Sequence, residues 1–244
     1  MNQIEALQTI IDEHNKIVFF GGAGVSTESG IPDFRSQDGL YNMTYKYPPE
    51  TIISHSFFER EPAEFWRFYK DKMLITDAAP NAAHLKLAEM ERAGKLMAVV
   101  TQNIDGLHQK AGSRCVYELH GSVLRNYCMT CRTPYSAEFI KDSKDPEPIC
   151  PVCGGKVRPD VVLYEEGLDD HVIRGAVKAI SEADCLIIGG TSLVVYPAAG
   201  LVDYFKGDTL VLINKSATSR DGAADLVITE PIGEVLGQIR VAGV

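Results

Sequence analysis

Continuous apolar runs along this chain alternate with stretches in which apolar residues recur at helical spacing. The continuous runs predict buried strands at 16–20, 96–101, 185–188, 210–213 and 226–228. Strands without polar interruption are typical of a parallel sheet that is covered on both faces. The helical spacing predicts helices at 2–14, 82–93, 171–182 and 198–205. The alternation predicts an α/β fold with a Rossmann-like, doubly wound parallel sheet.

Two segments interrupt this alternation. Residues 36–75 are aromatic and punctuated by proline, with a predicted helix at 62–73, and residues 122–158 hold two Cys-x-x-Cys motifs. We predict that they form a small lobe made of a helical module and a zinc-binding module. Residues 1–35, 76–121 and 159–244 would then form the Rossmann-like domain.

The two Cys-x-x-Cys motifs are the strongest local signal in the chain. Eighteen residues separate Cys131 from Cys150, a spacing at which four thiolates close a tetrahedron around zinc. Because so short a segment buries few apolar side chains, we expect metal binding to supply the free energy that folds it. A pair of redox sites is the alternative. A closed four-thiolate site has no open position for catalysis, so we predict one structural zinc on the ligands Cys128, Cys131, Cys150 and Cys153.

Composition and charge narrow the class of protein. The 244 residues are 45% hydrophobic and 23% charged, and the formal net charge is −9. This balance is typical of a globular protein, and the negative charge disfavours nucleic acid as the main partner. The first twenty residues carry no secretory signal, and no apolar run reaches membrane length. Cys115 and Cys185 lie in apolar runs and are interpreted as reduced core thiols. We therefore expect a cytoplasmic protein that requires neither nucleic acid nor a membrane.

A glycine-rich loop follows the first predicted strand. It has the sequence Gly22-Ala-Gly24-Val-Ser-Thr27 and is expected to open a helix. Glycines there let backbone N–H groups approach a pyrophosphate at a helix N-terminus. Thr27 occupies the place of the third glycine of the usual dinucleotide fingerprint, and a tight turn without a ligand is the alternative. Asp33 and Arg35 follow shortly; Arg35 could neutralise a phosphate, or the two could form a surface ion pair.

Polar residues gather where buried strands are predicted to end. They include Thr101-Gln-Asn-Ile-Asp105, Gly189-Gly-Thr-Ser192 and Asn214. Ligands bind at the carboxyl ends of strands in open α/β sheets, although capping of loops is the simpler alternative. His120, followed by Gly121, could act as a general base near pH 7, whereas His84 and His108 are interpreted as structural.

Taken together, these motifs resemble the sirtuins, the NAD-dependent protein-lysine deacylases. The shared segments are Gly-Ala-Gly-Val-Ser, Ile-Pro-Asp-Phe-Arg, Thr-Gln-Asn-Ile-Asp, Leu-His-Gly, the cysteine pairs and Gly-Thr-Ser-Leu-Val-Val-Tyr-Pro, in the family's order over about residues 16–232. The resemblance implies removal of acetyl groups from protein lysine side chains. Its products would be nicotinamide, 2′-O-acetyl-ADP-ribose and free lysine.

The resemblance also implies roles for individual residues. His120 would be the general base and Asn103 would orient the ribose or a water. The NAD contacts would be Ala23, Thr27, Phe34, Arg35, Gln102, Ile104, Asp105, His120, Thr191, Ser192, Asn214 and Ile232. Val162 and the segment that begins at Leu193 and Val194 would flank the acetylated peptide as strands, a form of β-augmentation.

Two departures from the family bear on the substrate. Tyr164-Glu165-Glu166 stands where the family often has Phe-Gly-Glu, which puts local peptide contacts in doubt. Relatives that remove succinyl groups carry Tyr-x-x-Arg, and the aligned stretch here begins at Tyr69 and ends at Lys72. Lysine keeps the charge but lacks the planar fork of arginine. We therefore expect these two residues to favour acetyl-lysine over succinyl-lysine.

Three alternatives stay open at this point. A mono-ADP-ribosyltransferase would use the same NAD pocket without an acylated lysine. A deacylase could prefer another acyl group. A non-catalytic zinc-ribbon adaptor that binds a nucleotide is the third, and the presence of both His120 and Asn103 counts against it.

Overall fold

The computed structural model describes residues 2–34, 39 and 46–241. Its larger sheet contains six parallel strands in the order β3-β2-β1-β7-β8-β9. This order confirms the doubly wound, Rossmann-like architecture, in which sheet order reverses between β1 and β7. The strands of this sheet are β1 (Ile17–Gly21), β2 (Leu96–Thr101), β3 (Val116–Glu118), β7 (Cys185–Gly189), β8 (Thr209–Ile213) and β9 (Leu226–Ile228).

A second, antiparallel sheet lies between β3 and β7 in the chain. It consists of β4 (Gly121–Cys128), β5 (Pro134–Ser136) and β6 (Val157–Val161), in the order β5-β4-β6. None of its strands was expected from the apolar pattern, because polar and charged residues interrupt them.

The α-helices are mostly short. Their bounds are α1 (Gln3–Glu13), α2 (Pro49–Ile52), α3 (His55–Arg60), α4 (Pro62–Phe68), α5 (Ala82–Arg92), α6 (Leu107–Ala111), α7 (Ala137–Asp142), α8 (Asp170–Glu182) and α9 (Ile232–Gly237). A capping box begins α1: Asn2 accepts from the backbone N–H of Glu5, and Glu5 accepts from that of Asn2. Among the described residues, no helix is both long enough and apolar enough to cross a membrane.

Both faces of the parallel sheet are buried. On one face, Phe19 and Ile187 pack with α1, α5 and α9. On the other face, Phe20 and Ile188 pack with α8 and a 3₁₀-helical stretch, Ala198–Tyr204. Because successive side chains of a strand point to opposite faces, apolar residues at every position are required.

Two predicted α-helices take a different form. The stretch 198–205 is 3₁₀-helical, and the interior Gly200 lowers its α-helical propensity. The glycine loop leads into two 3₁₀ turns, Ala23–Val25 and Thr27–Ser29, instead of the predicted helix. The second turn ends at Gly30 in the left-handed conformation, with φ of 81°, so too few residues are left for an α-helix.

A separate hydrophobic cluster lies away from the parallel sheet. It joins residues from α2, α3 and α4 to residues from β4, β6 and α7, including Phe57, Trp66 and Val157. The predicted helix at 62–73 is present as α4 followed by a π-helical turn, Tyr69–Met73. This cluster fits the predicted small lobe, whose boundaries stay a prediction.

Candidate active site

The candidate site lies where β1 and β7 end side by side. The backbone N–H of Gly24 donates to the carbonyl of Gly190 at 2.8 Å, so the loops after the two strands are in direct contact. A Cβ built on Gly24 would lie 2.8 Å from Gly190 Cα, and one built on Gly22 would lie 2.8 Å from Thr191 Cβ. Only glycine allows this approach, which lies at the point where the sheet order reverses.

A buried polar cluster lies behind the glycine loop. The hydroxyl of Ser26 donates to Asp105 Oδ2 at 2.6 Å and accepts from Asn103 Nδ2 at 3.1 Å. Ser26 is 1% exposed and Asn103 is 8% exposed. Polar groups this deeply buried are costly unless partnered, and here they satisfy one another. The strand end that carries Asn103 and Asp105 is therefore held against the glycine loop.

Two buried histidines, His84 and His108, pack next to this cluster. His84 Nε2 lies 3.5 Å from the Ser26 hydroxyl, and its ring packs edge-on against that of His108. Burial lowers the pKa of His84 to about 4 and that of His108 to about 3, so both rings are neutral at pH 7. His108 has no hydrogen-bond partner among the described residues, which fits the structural role expected for both.

His120 lies between β3 and β4, where the chain passes from the parallel sheet to the antiparallel one. Its Nδ1 lies 3.0 Å from the carbonyl oxygen of Gln102. A carbonyl oxygen only accepts, so Nδ1 carries the proton and Nε2 keeps a free lone pair. Burial lowers the pKa of His120 below its ordinary value, which keeps the ring neutral at pH 7. This is the protonation state of a general base.

The glycine after His120 is required by packing. Gly121 has φ of 74°, and a Cβ there would lie 2.0 Å from the carbonyl oxygen of Asp160. Val162 N–H donates to the carbonyl of His120 at 3.0 Å, so the segment after β6 runs directly beside the histidine. The predicted peptide-flanking residue Val162 is therefore a neighbour of the predicted base.

The other predicted NAD residues fall into three places. Gln102 Nε2 donates to Thr191 Oγ1 at 2.9 Å, which links the ends of β2 and β7. Phe34 and Ile104 are half-buried and pack against the small-lobe cluster. Asn214 directly follows β8, and Ile232 is the first residue of α9. Arg35 lies outside the described residues.

The remaining cofactor and substrate residues lie nearer the surface. Ala23 and Thr27 are half-buried in the glycine loop, and Ser192 is exposed. Leu193 is buried and has φ of 54°, whereas Val194 is 57% exposed. The turn at Leu193 leaves an exposed segment beside the loop, but neither residues 193–196 nor Val162 lie in a strand, so their pairing with a peptide stays a prediction.

Tyr69 and Lys72 lie together on the π-helical turn but differ in exposure. Tyr69 is fully buried, stacks on Phe65, and has a hydroxyl without a hydrogen-bond partner among the described residues. Burial raises its pKa above the ordinary value. Lys72 Nζ lies 3.2 Å from Asp71 Oδ2. Their role in acyl choice stays a prediction.

The four predicted metal ligands form one cluster. All four sulfur atoms lie within 4.8 Å of one another, with 3.5 Å from Cys128 to Cys153 and 3.6 Å from Cys131 to Cys150. A tetrahedral zinc with bonds of about 2.3 Å requires sulfur–sulfur distances of about 3.8 Å. The donor set and its spacing therefore fit one closed structural zinc.

Two functional features were missed in the sequence. Ser26 stands in the sequence only as a member of the glycine loop, although a small hydroxyl residue two positions after Gly-x-Gly is a signal for a ligand or network contact. Glu166 was not recognised as an ion-pair partner: it receives two hydrogen bonds from Arg158, each of 2.9 Å, and lies 2.8 Å from His55 Nδ1. Only the fold brings these three residues together.

Comparison with known proteins gives consistent matches. A profile of the Sir2 family matches residues 22–197. An NAD-dependent protein deacetylase of Clostridium perfringens is 63% identical over 241 residues, which is 98% of each chain. The corresponding protein of Clostridium acetobutylicum is 61% identical over 238 residues, 97% of each chain.

A solved structure is similar over nearly the whole chain as well. A complex described as Sir2, p53 peptide and NAD⁺ superposes with a TM-score of 0.85 at 39% identity, covering 97% of this chain and 96% of the other. The glycine loops, the buried polar cluster and the four-cysteine cluster thus occur in a chain that is similar to these proteins over its full described length.

Proposed function

The chain belongs to the Sir2 family and is an NAD-dependent protein deacetylase, and on that premise we propose that His120 is its general base. The observation that carries this proposal is the hydrogen bond from His120 Nδ1 to the Gln102 carbonyl, which leaves Nε2 as an acceptor. A general base needs a free lone pair and a pKa at or below the working pH. Both conditions hold for a buried, neutral imidazole.

NAD fits the edge of the sheet where the glycine loops meet. Gly22 and Gly24 pack closely against Gly190 and Thr191. Because neither glycine has a side chain, the backbone of this loop can approach the phosphates of NAD. We assign the adenosine half to Ser192, Asn214 and Ile232, and the nicotinamide half to Phe34, Ile104 and Asp105. When bound, NAD supplies the ADP-ribosyl group that accepts the acetyl group as nicotinamide leaves.

The polar cluster positions the reacting groups. Asp105 receives hydrogen bonds from Ser26 and from the backbone N–H of Leu107, at 2.6 Å and 2.9 Å, which fixes its carboxylate. Asn103 donates to Ser26 and keeps its side-chain oxygen available to orient a ribose hydroxyl or a water. His120 Nε2 then takes the proton of a ribose hydroxyl, which makes that oxygen nucleophilic.

The acetylated peptide binds between Val162 and the segment that begins at Leu193 and Val194. Val162 N–H donates to the carbonyl of His120, Val194 is exposed, and main-chain pairing with these segments would recognise backbone instead of a particular sequence. We infer that acetyl-lysine is preferred over succinyl-lysine, because Lys72 cannot make the bidentate contact of an arginine. Acetylated proteins are thus the substrate class.

We further propose that the enzyme works in the cytoplasm without nucleic acid or membrane as a partner. All six cysteines are unpaired by disulfides, which suits a reducing compartment. The net charge of −9 opposes binding to nucleic acid and anionic lipid. Fractionation of cells, with and without nuclease treatment, tests both statements.

The deciding experiment follows products by mass spectrometry from a panel of acylated and unmodified peptides incubated with NAD. Nicotinamide should appear only with the acylated peptide, in equal amounts with O-acetyl-ADP-ribose and free lysine. Nicotinamide released with an unmodified protein, together with ADP-ribosylated product, would favour the transferase alternative.

Inhibitors test independently whether the zinc is structural or catalytic. Because four thiolates leave zinc no open position, a hydroxamate that chelates catalytic zinc should inhibit weakly, whereas added nicotinamide should inhibit by reversing the first step. The reverse order of potency would contradict both the structural role of zinc and the base assigned here.

A further inference from the structure

The segment that follows β6 contains a strained residue. Leu163 to Glu166 form a β-turn, in which the backbone N–H of Glu166 donates to the carbonyl of Leu163 at 3.1 Å. Its third residue, Glu165, has φ of 75°. A positive φ at that position defines a type II turn and favours glycine, the residue that the sirtuin pattern has there. A glutamate costs backbone free energy that glycine would not.

The Glu165 side chain is bonded to the helical module. One oxygen accepts from the backbone N–H of Ser56 at 2.9 Å, and the other accepts from the Ser56 hydroxyl at 3.0 Å. Ser56 lies in the first turn of α3, where backbone N–H groups lack intrahelical partners and a carboxylate is favourable. A residue at this position without a side chain could not make either bond.

The same turn is held to α3 by its neighbours. Tyr164 N–H donates to the carbonyl of Ile53, and His55 N–H donates to the carbonyl of Tyr164, each at 3.0 Å. Glu166 bonds Arg158 and the ring of His55. At its other end, the segment begins with Val162, which donates to the carbonyl of His120. One short segment therefore connects the candidate base to the helical module.

We propose that Glu165 is a positioning residue for the peptide-flanking segment 162–164, which it fixes against α3 at the cost of a strained backbone. This proposal rests on the proposed function, because the segment flanks a substrate only if acetylated peptides bind there. It predicts that Glu165 governs the binding of the peptide and leaves the chemistry at His120 and the binding of NAD unaffected.

Three substitutions separate the side-chain bonds from the backbone strain. E165A keeps the strained turn and loses both bonds to Ser56. E165G loses the bonds and relieves the strain. E165Q keeps one uncharged acceptor for Ser56, while its NH2 group can only donate to the Ser56 hydroxyl oxygen. E50Q, which removes an exposed carboxylate from α2 in the same module, is the matched control.

Steady-state kinetics with acetyl-peptide and NAD varied separately give the main readout. We expect KM for the peptide to rise about threefold to tenfold in E165A and E165G, equivalent to about 0.6–1.4 kcal/mol. E165Q should lie between them and the wild type. The values of kcat and of KM for NAD should stay within about twofold, and E50Q should match the wild type. An unchanged peptide KM, or an equal fall in kcat, would overturn the proposal.

Thermal unfolding separates positioning from simple stability. E165A should unfold at a lower temperature than E165G, because only E165A keeps the strain, yet both should raise the peptide KM alike. A peptide KM that followed the unfolding temperature across the series would mean a merely structural residue and would overturn the proposal. In the double variant E165A/S56A, the effects should fall short of additive, because both residues belong to one contact.

Hydrogen exchange tests the contact between Glu165 and Ser56, which we call the Glu165 clamp, even if the proposed function fails. A wild-type enzyme without NAD-dependent deacetylation would refute the function alone. Faster exchange in E165A, confined to residues 54–58 and 162–166, would still support the clamp. Exchange in those residues as slow as in the wild type would refute it.

Discussion

At the scale of single residues, the proton on His120 is placed by the backbone of Gln102. Because Nδ1 is committed to that carbonyl, the imidazole can take up only one further proton, at Nε2. We expect His120→Ala to lower kcat by about 10²–10⁴-fold, the usual effect of losing a general base. Binding of NAD, measured by calorimetry, should change little. Turnover close to that of the wild type would end the assignment.

The pH dependence of the rate follows from the same residue. Burial lowers the pKa of His120 below 6.5, so the neutral, active form predominates above that pH. We expect kcat/KM to be flat from about pH 7 upward and to fall as pH drops through the lowered pKa, where Nε2 becomes protonated. A falling limb centred above pH 7 would indicate a different base. The His120→Ala variant, assayed at high enzyme concentration, should lack this limb.

Ser26 provides a second test at this scale. It donates to Asp105 and accepts from Asn103, so its removal takes one hydrogen bond from the half-buried Asp105 carboxylate and one from the buried Asn103 amide. A hydrogen bond to a charged group contributes about 1.5–3 kcal/mol. We therefore expect Ser26→Ala to lower kcat/KM for NAD about tenfold to a hundredfold in protein that stays folded. Ser181→Ala, which removes a hydroxyl that donates to the Lys178 carbonyl within α8, is the control, and equal activity in both variants would contradict the role of the cluster.

At the scale of elements, five of the six parallel strands were predictable, whereas β3 (Val116–Glu118) and the antiparallel sheet were not. Strands β1, β2 and β7 are apolar at nearly every position because both faces are covered, and that pattern is visible in the sequence. Strand β4 contains Arg125 and Asn126, and it is held by pairing with β6 and by the cysteines at its end. Long-range pairing and metal binding leave no periodic signal.

The same distinction applies to the site. Residues at strand ends, such as Asn103 and Asp105, could be proposed from their position because ligands bind at that edge. The Ser26 network and the Glu165 clamp could not, because each joins residues that are far apart in the chain: Ser26 with Asp105, and Ser56 with Glu165. Such contacts depend on how the loops pack against each other.

The π-helical turn that carries Tyr69 and Lys72 leads to a prediction about acyl choice. We expect the wild type to prefer acetyl-lysine over succinyl-lysine on one peptide sequence, because a single ammonium makes no fork-like contact with a carboxylate. Lys72→Arg should raise kcat/KM for the succinyl-peptide relative to the acetyl-peptide. An unchanged ratio would mean that these residues do not contact the acyl group. A wild-type preference for the succinyl-peptide would overturn the substrate assignment.

At the scale of the whole molecule, His120 lies where one folded region meets the other. Arg125 on β4 bonds Glu118 at the end of β3, at 2.7 Å, and Asp160 on β6, at 2.8 Å. The bond between Arg125 and Glu118 thus joins the antiparallel sheet to the end of β3, across the turn that carries His120, and the bond to Asp160 ties β4 to β6. On the proposed mechanism, a substrate that enters between the two sheets would meet His120 at this junction, with NAD on the side of the parallel sheet.

Removal of zinc tests how far the two regions depend on each other. The four cysteines lie in a segment whose own core is small, and a structural zinc contributes about 10–16 kcal/mol to the folding of such a segment. We expect Cys150→Ala to lose zinc, to unfold the small lobe and to abolish deacetylation. Metal analysis, circular dichroism and a deacetylation assay on the same sample measure these effects, and Cys115→Ala, outside the zinc site, is the control.

Binding of ADP-ribose should survive in the zinc-free protein. Val25 of the glycine loop and Ile232 belong to a cluster that covers the parallel sheet, and Asn214 N–H bonds the carbonyl of Ile228 at the end of β9. Phe34 and Ile104, by contrast, pack against the small-lobe cluster. Loss of zinc should therefore weaken recognition of the nicotinamide end and of the peptide far more than recognition of the adenosine end. Zinc-free protein that still deacetylates normally would show that the lobe folds without its metal. Complete loss of ADP-ribose binding would show that the two regions fold as one unit, in which case zinc stabilises the parallel sheet as well.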